Sequence, residues 1–102
     1  MDFRVIWSRT ALSDLEDLVR YIAKDHAGTA IQFGERIIKK AAGLAGFPRI
    51  GRIVPEFREE VLREIVFAPY RIVYEIDDGQ RVVSILRIWH GAREHLELPK
   101  AD

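Results

Sequence analysis

Between Pro69 and Arg93 the chain places Arg71, His90 and Arg93 in a stretch rich in β-branched and aromatic residues. A guanidinium is a permanent cation that grips phosphate or carboxylate through two parallel N–H bonds, and an imidazole exchanges a proton near neutral pH. Brought together, they would form an anion-handling surface. Each also has a structural reading. Arg71 can pair with Glu64 or Glu75 across a sheet, and His90, just before Gly91, can hydrogen-bond a turn. His26 and His95 are scattered, and three such histidines do not have the spacing of a metal site, so neither metal nor cofactor is expected. Trp7 and Trp89 read as core or sheet-edge packing, and Tyr70 and Tyr74 share an apolar face with Ile72 and Ile76.

These residues need strands to position them. Tyr70–Ile76 and Arg81–Trp89 read as strands, joined by Asp77-Asp78-Gly79-Gln80, a hairpin turn in which Gly79 is expected to take positive φ. The face with Arg71, Val73 and Glu75 is mixed, which predicts half exposure. Val61–Phe67 and Phe3–Trp7 have enough β-formers for two further strands. The apolar spacing Ala11, Leu12, Leu15, Leu18, Val19, Ile22 predicts an amphipathic helix, capped by Ser8 or Thr10 and stopping at Gly28. Thr29 and Gln32 match a capping box opening a second helix with Ala30, Phe33, Gly34, Ile37, Ile38, Ala41, Leu44 and Ala45 on its apolar side. Gly34 on that side would let the helices approach closely. Arg36, Lys39 and Lys40 face outward. Residues 47–60 show neither period and read as a connecting loop, with Arg49, Arg52 and Arg58 set among Glu56, Glu59 and Glu60.

The architecture that satisfies this order is α+β: an N-terminal strand and an antiparallel helical hairpin packed on a three- to four-stranded, mostly antiparallel sheet, with residues 1–102 as a single domain. Nearly half of the residues are apolar and the formal net charge is zero. That composition excludes a disordered chain and argues against a protein that blankets a phosphate backbone. Without cysteine, a disulfide framework and thiolate metal sites are excluded, which fits a reducing cytoplasm. No run is apolar enough for a signal peptide or a membrane span.

The ordered set Ala11, Asp14-Leu15, Tyr21-Ile22-Ala23, Pro48, Gly51-Arg52, Arg63-Glu64, Tyr70-Arg71-Ile72-Val73-Tyr74 and His90-Gly91-Ala92-Arg93 resembles the ParE/RelE superfamily of toxins from bacterial type II toxin–antitoxin systems. The resemblance covers almost the whole chain. It implies a compact toxin silenced by a ParD-like or similar antitoxin, with Leu12, Ile31 and the helical hairpin as the covered surface. It also implies one of two targets. RelE-like members cleave messenger RNA on the ribosome, and ParE-like members inhibit DNA gyrase.

Cleavage of the RelE kind requires a base to take the ribose 2′-hydroxyl proton, cations on the phosphate and an acid for the leaving oxygen. RelE-like enzymes use lysines on the strand before the Tyr-Arg pair and a tyrosine near the C-terminus. Here that strand has Arg63 and Glu64 with no lysine, and no tyrosine follows Arg93. The depleted set favours a gyrase inhibitor without enzymatic chemistry, contacting its target through Arg63, Arg71, His90, Arg93, His95 and Leu96. The alternative is a ribosome-dependent endoribonuclease with Glu64 as base, His90 as acid, and Arg71 and Arg93 as the phosphate clamp.

Overall fold

The computed structural model describes residues 2–92 and 96–98. Strand β1 (Arg4–Trp7) leads into helix α1 (Arg9–Ala23) and helix α2 (Ala27–Ala42), which ends in a 3₁₀ turn over Gly43–Ala45. Strands β2 (Arg52–Ile53), β3 (Leu62–Phe67), β4 (Tyr70–Asp77) and β5 (Val82–His90) follow. They form one five-stranded sheet in the order β1-β5-β4-β3-β2, with β1 parallel to β5 and the other pairs antiparallel. The α+β architecture is as expected, with one strand more than the sequence suggests. A two-residue strand carries no readable period, which is why β2 is hidden in the 47–60 loop.

The helical hairpin covers one face of the sheet. Ala11 and Leu18 of α1, Ile37 and Ala41 of α2, and Leu44 pack on Ile72, Tyr74, Ile76, Val83, Ile85 and Ile88. Gly34 lies in the seam, where an added Cβ would stand 3.0 Å from Val19 Cγ2. The reversal between the helices falls at Lys24–His26, earlier than the expected stop at Gly28. His26 is the N-cap of α2 and makes no side-chain cap bond, while Thr29 lies inside the helix and caps nothing. The earlier start gains the Ala30 N–H to His26 C=O bond (2.9 Å), and residues 27–29 of the first turn are exposed. Ile38, expected in the core, is about half exposed at 49%.

The opposite face of the sheet is not open. Val54, Leu62, Val73, Trp89 and Leu96 form a second small core, flanked by Leu86 and Leu98. Val73 is therefore fully buried rather than half exposed, because the 47–60 loop and the 96–98 segment return over its face. The β4–β5 turn also differs from expectation. Gly79 does not take positive φ; Arg81 does, at 57°. Asp77 Oδ1 accepts the Gln80 N–H at 3.0 Å, so an aspartate-based turn carries the first part of the reversal and the left-handed residue falls after it.

One junction fixes the end of β1. Ser8 caps α1 by accepting the Ala11 N–H (3.0 Å), and its hydroxyl donates to Leu86 C=O (3.1 Å). Beyond that point β5 has lost its β1 neighbour, and Asp14 takes the strand's place. Its carboxylate accepts the Ile88 N–H (3.0 Å) and both Arg87 Nε (2.8 Å) and Nη2 (3.1 Å).

Candidate functional site

Strand register decides which of the singled-out residues can meet. Tyr70 stands opposite His90, and Arg71 stands opposite Trp89. Successive residues of a strand point to opposite faces, so Arg71 and His90 lie on different sides of the sheet. Glu64, paired in register with Val73, shares the side of Arg71, away from the helices. The structure therefore brings Glu64 and Arg71 together and separates both from His90.

Glu64 is buried, at 1% exposure. Its Oε1 accepts Arg71 Nε and its Oε2 accepts Arg52 Nε. Arg71 spends its other two nitrogens on Glu56, with Nη1 to Oε2 and Nη2 to Oε1 both at 2.8 Å. Hydrogen bonding to Glu56 raises the Arg71 pKa above its ordinary value, with Glu64 adding to it, and the Arg71 bonds hold the Glu56 carboxyl below the ordinary carboxylate range. A general base needs an open lone pair at the proton it abstracts, and a phosphate clamp needs a free fork. Here the fork is filled by carboxylate. Of the two expected partners, Glu64 pairs with Arg71 and Glu75 does not. The bidentate partner is Glu56, which no local signal in the sequence marks, because it arrives on a loop that folds back from fifteen residues upstream.

The other cations near this face hold the same loop down. Arg49 bonds Glu60 and Asp78, the latter at 2.8 and 2.9 Å, which raises the Arg49 pKa and lowers those of both carboxyls. Arg63, expected to face a target, instead donates to Glu60 C=O (2.7 Å) and Gly51 C=O (3.0 Å), and to the Glu60 carboxylate (3.1 Å). Tyr74 reaches through from the helix-covered face. Its hydroxyl donates to Pro48 C=O at 2.6 Å and accepts the Gly51 N–H at 3.0 Å. Arg58 is exposed with φ of 54°.

His90 has separate surroundings. Its ring meets Tyr70 edge-on at 5.2 Å between centroids, and Nδ1 accepts the Ala92 N–H at 3.1 Å, the turn-bonding role open to it from sequence. A cleft of about 460 Å³ beside it is lined by Asp14, Asp17, Leu18, Tyr21, Tyr70 and Ile88. Leu96, expected on a target-contact surface, is buried in the second core. Arg93 and His95 lie outside the described residues. Leu12 and Ile31 are exposed, at 46% and 60%. Among the described residues no group of three His, Asp or Glu side chains could hold a metal, and no helix is long and apolar enough to cross a membrane.

A helical hairpin on a five-stranded mixed sheet, with an arginine–carboxylate cluster on the face away from the helices, defines a compact α+β scaffold. The chain belongs to the ParE toxin family of type II toxin–antitoxin systems, whose model matches residues 5–95. It is 34% identical over 90 residues to Toxin RelE2 of Caulobacter vibrioides, spanning 88% of this chain and 97% of that one. The chromosomal ParDE system from P. aeruginosa shares the fold at a TM-score of 0.72 and 18% identity, covering 86% of this chain and 95% of that one. The RelBE2 toxin–antitoxin complex from Mycobacterium tuberculosis aligns at a TM-score of 0.64 and 27% identity, covering 88% and 99% of the respective chains. The protein is a toxin of a type II toxin–antitoxin module.

Proposed function

We propose that this toxin acts by binding and inhibiting DNA gyrase rather than by cleaving RNA, and that a cognate ParD-like antitoxin neutralises it. One observation carries the reading: the groups that cleavage would need are separated or occupied. Glu64 is buried beneath two guanidiniums, Arg71 is filled by Glu56 and Glu64, and His90 lies across the sheet. Binding a target protein requires no such convergence. The antitoxin reading is supported by solved neighbours that are toxin–antitoxin complexes, with exposed Leu12 and Ile31 as apolar contacts on the helical hairpin.

The test is plasmid supercoiling by purified gyrase with and without the purified toxin, alongside mapping of transcript 5′ ends in expressing cells. Loss of supercoiling with unchanged transcripts is expected. Undiminished supercoiling together with new 5′ ends within coding regions would overturn the proposal in favour of a ribosome-dependent endoribonuclease.

A further inference from the structure

The cleft beside His90 is built from one helix face and one strand end. Asp14, Asp17 and Tyr21 recur at the three-and-four spacing that stacks side chains on one side of a helix. Across the cleft stand Tyr70 and His90, cross-strand neighbours on β4 and β5. Leu18 and Ile88, buried at 5% and 4% exposure, form the floor.

These walls favour positive charge. No lysine or arginine is among the residues that line the cleft, and His90 adds no charge, because an Nδ1 that accepts the Ala92 N–H carries no proton. Asp14 is already matched by Arg87. Asp17 is held only loosely: its contact with Arg20 is 3.5 Å between side chains 69% and 71% exposed, where an ion pair contributes little. Tyr21 and Tyr70 add ring faces that attract a cation, and the Tyr21 ring already draws Lys24 Nζ to 5.9 Å from its centroid.

An apolar floor beneath a carboxylate and ring faces suits an arginine or lysine side chain. Its methylene stem lies on the floor and its charged head reaches the rim. A phosphate backbone would meet carboxylates here with no lining cation to hold it.

We propose that this cleft is a target-contact site and takes an arginine or lysine side chain presented by gyrase, with Asp17 and the Tyr21 and Tyr70 rings around the charged head. The proposal rests on the gyrase reading above and names its contact. Of the residues expected at the target, Arg63, Arg71 and Leu96 are committed within the fold, whereas His90 borders this cleft. The site is also distinct from the antitoxin contact at Leu12, since about 3.6 residues per turn put Leu12 on the far side of α1 from Asp14, Asp17 and Tyr21.

The test measures binding of purified toxin to purified gyrase, with supercoiling inhibition alongside, for wild type and for variants at exposed helix positions whose melting temperatures are checked first. Asp17→Lys should weaken binding by about tenfold or more, with a loss that shrinks as salt rises. Asp17→Asn should lose less, and Tyr21→Ala should weaken binding at every salt concentration. Glu16→Lys, exposed on the same helix but outside the cleft, should bind as wild type does. If Asp17→Lys and Tyr21→Ala bind and inhibit gyrase undiminished, the cleft assignment is overturned and the gyrase reading stands. If Glu16→Lys loses as much as Asp17→Lys, the effect belongs to the charge of α1 as a whole, and the cleft is likewise overturned. If the variants keep gyrase but lose the antitoxin encoded beside the toxin, the cleft is an antitoxin contact and the assignment falls. If wild type neither binds nor inhibits gyrase, the gyrase reading itself fails and takes this proposal with it.

Discussion

Gly51 shows how much a single position can carry. A Cβ there would lie 2.5 Å from Glu64 C=O and 2.6 Å from the Tyr74 hydroxyl, while its N–H already bonds that hydroxyl. The backbone of the loop is pressed against β3 at this point, and only hydrogen fits. Gly51→Ala is expected to destabilise by about 2–4 kcal/mol in a denaturant melt, because backbone rather than a pliant side chain must move. Gly43 is the control: nothing lies within 4 Å of its Cβ position and its φ is helical at −63°, so Gly43→Ala should change stability by less than about 1 kcal/mol. The glycine and its neighbour Arg52 stand out in sequence as a family mark. The contact that explains the glycine does not, since its partners sit thirteen and twenty-three residues further along.

At the scale of elements, the two helices and the three long strands follow from local pattern alone, since period and β-branched content act within a few residues. Their joints do not. Thr29 matches a capping box yet caps nothing, and Gly79 sits in a turn that puts its left-handed residue at Arg81. In both places an adjacent hydrogen bond, Ala30 to His26 or Gln80 to Asp77, settles where the chain reverses. Asp14 is the strongest joint. It serves as a one-residue extension of the sheet, accepting the Ile88 N–H that β1 no longer reaches and holding Arg87. Asp14→Ala leaves a part-buried donor and guanidinium without their acceptor, so a loss of about 2–3 kcal/mol is expected by chemical denaturation. Asp14→Asn retains an oxygen for Ile88 and should lose less than the alanine variant.

For the molecule as a whole, the carboxylates that strap the 47–60 loop to the sheet set its acid stability. Arg71 depresses the Glu56 carboxyl and Arg49 depresses those of Glu60 and Asp78. A carboxyl whose folded pKa lies below its unfolded value contributes its full stabilisation above the unfolded value and loses it as pH falls through the folded one. The melting temperature should therefore hold steady down to about pH 5 and fall below about pH 4. Glu56→Gln should lower the neutral-pH melting temperature and flatten the acid limb. These groups are partly or fully exposed, so the effect is modest and weakens with added salt. If wild type and Glu56→Gln lose stability in parallel on acidification, the strap is not the acid-sensitive element.

The helical hairpin, the strands β1, β3, β4 and β5, the close approach at Gly34 and the membership in a toxin superfamily are legible along the chain, because each is written in short-range period or in the order of marks. What the charged residues do depends on contacts made across the fold. Arg71 and His90 look like partners in sequence, nineteen residues apart at one end of a hairpin, but an odd offset in register sends them to opposite faces. Arg71, Glu64 and Glu56 become a closed cluster because a loop without any period folds back over the sheet. Lys39 and Lys40, unremarkable on a helix surface, border an apolar groove because β2 stops after two residues and leaves the edge of β3 beside them. Pairing, burial and open edges are long-range properties, and no spacing within one strand or helix records them.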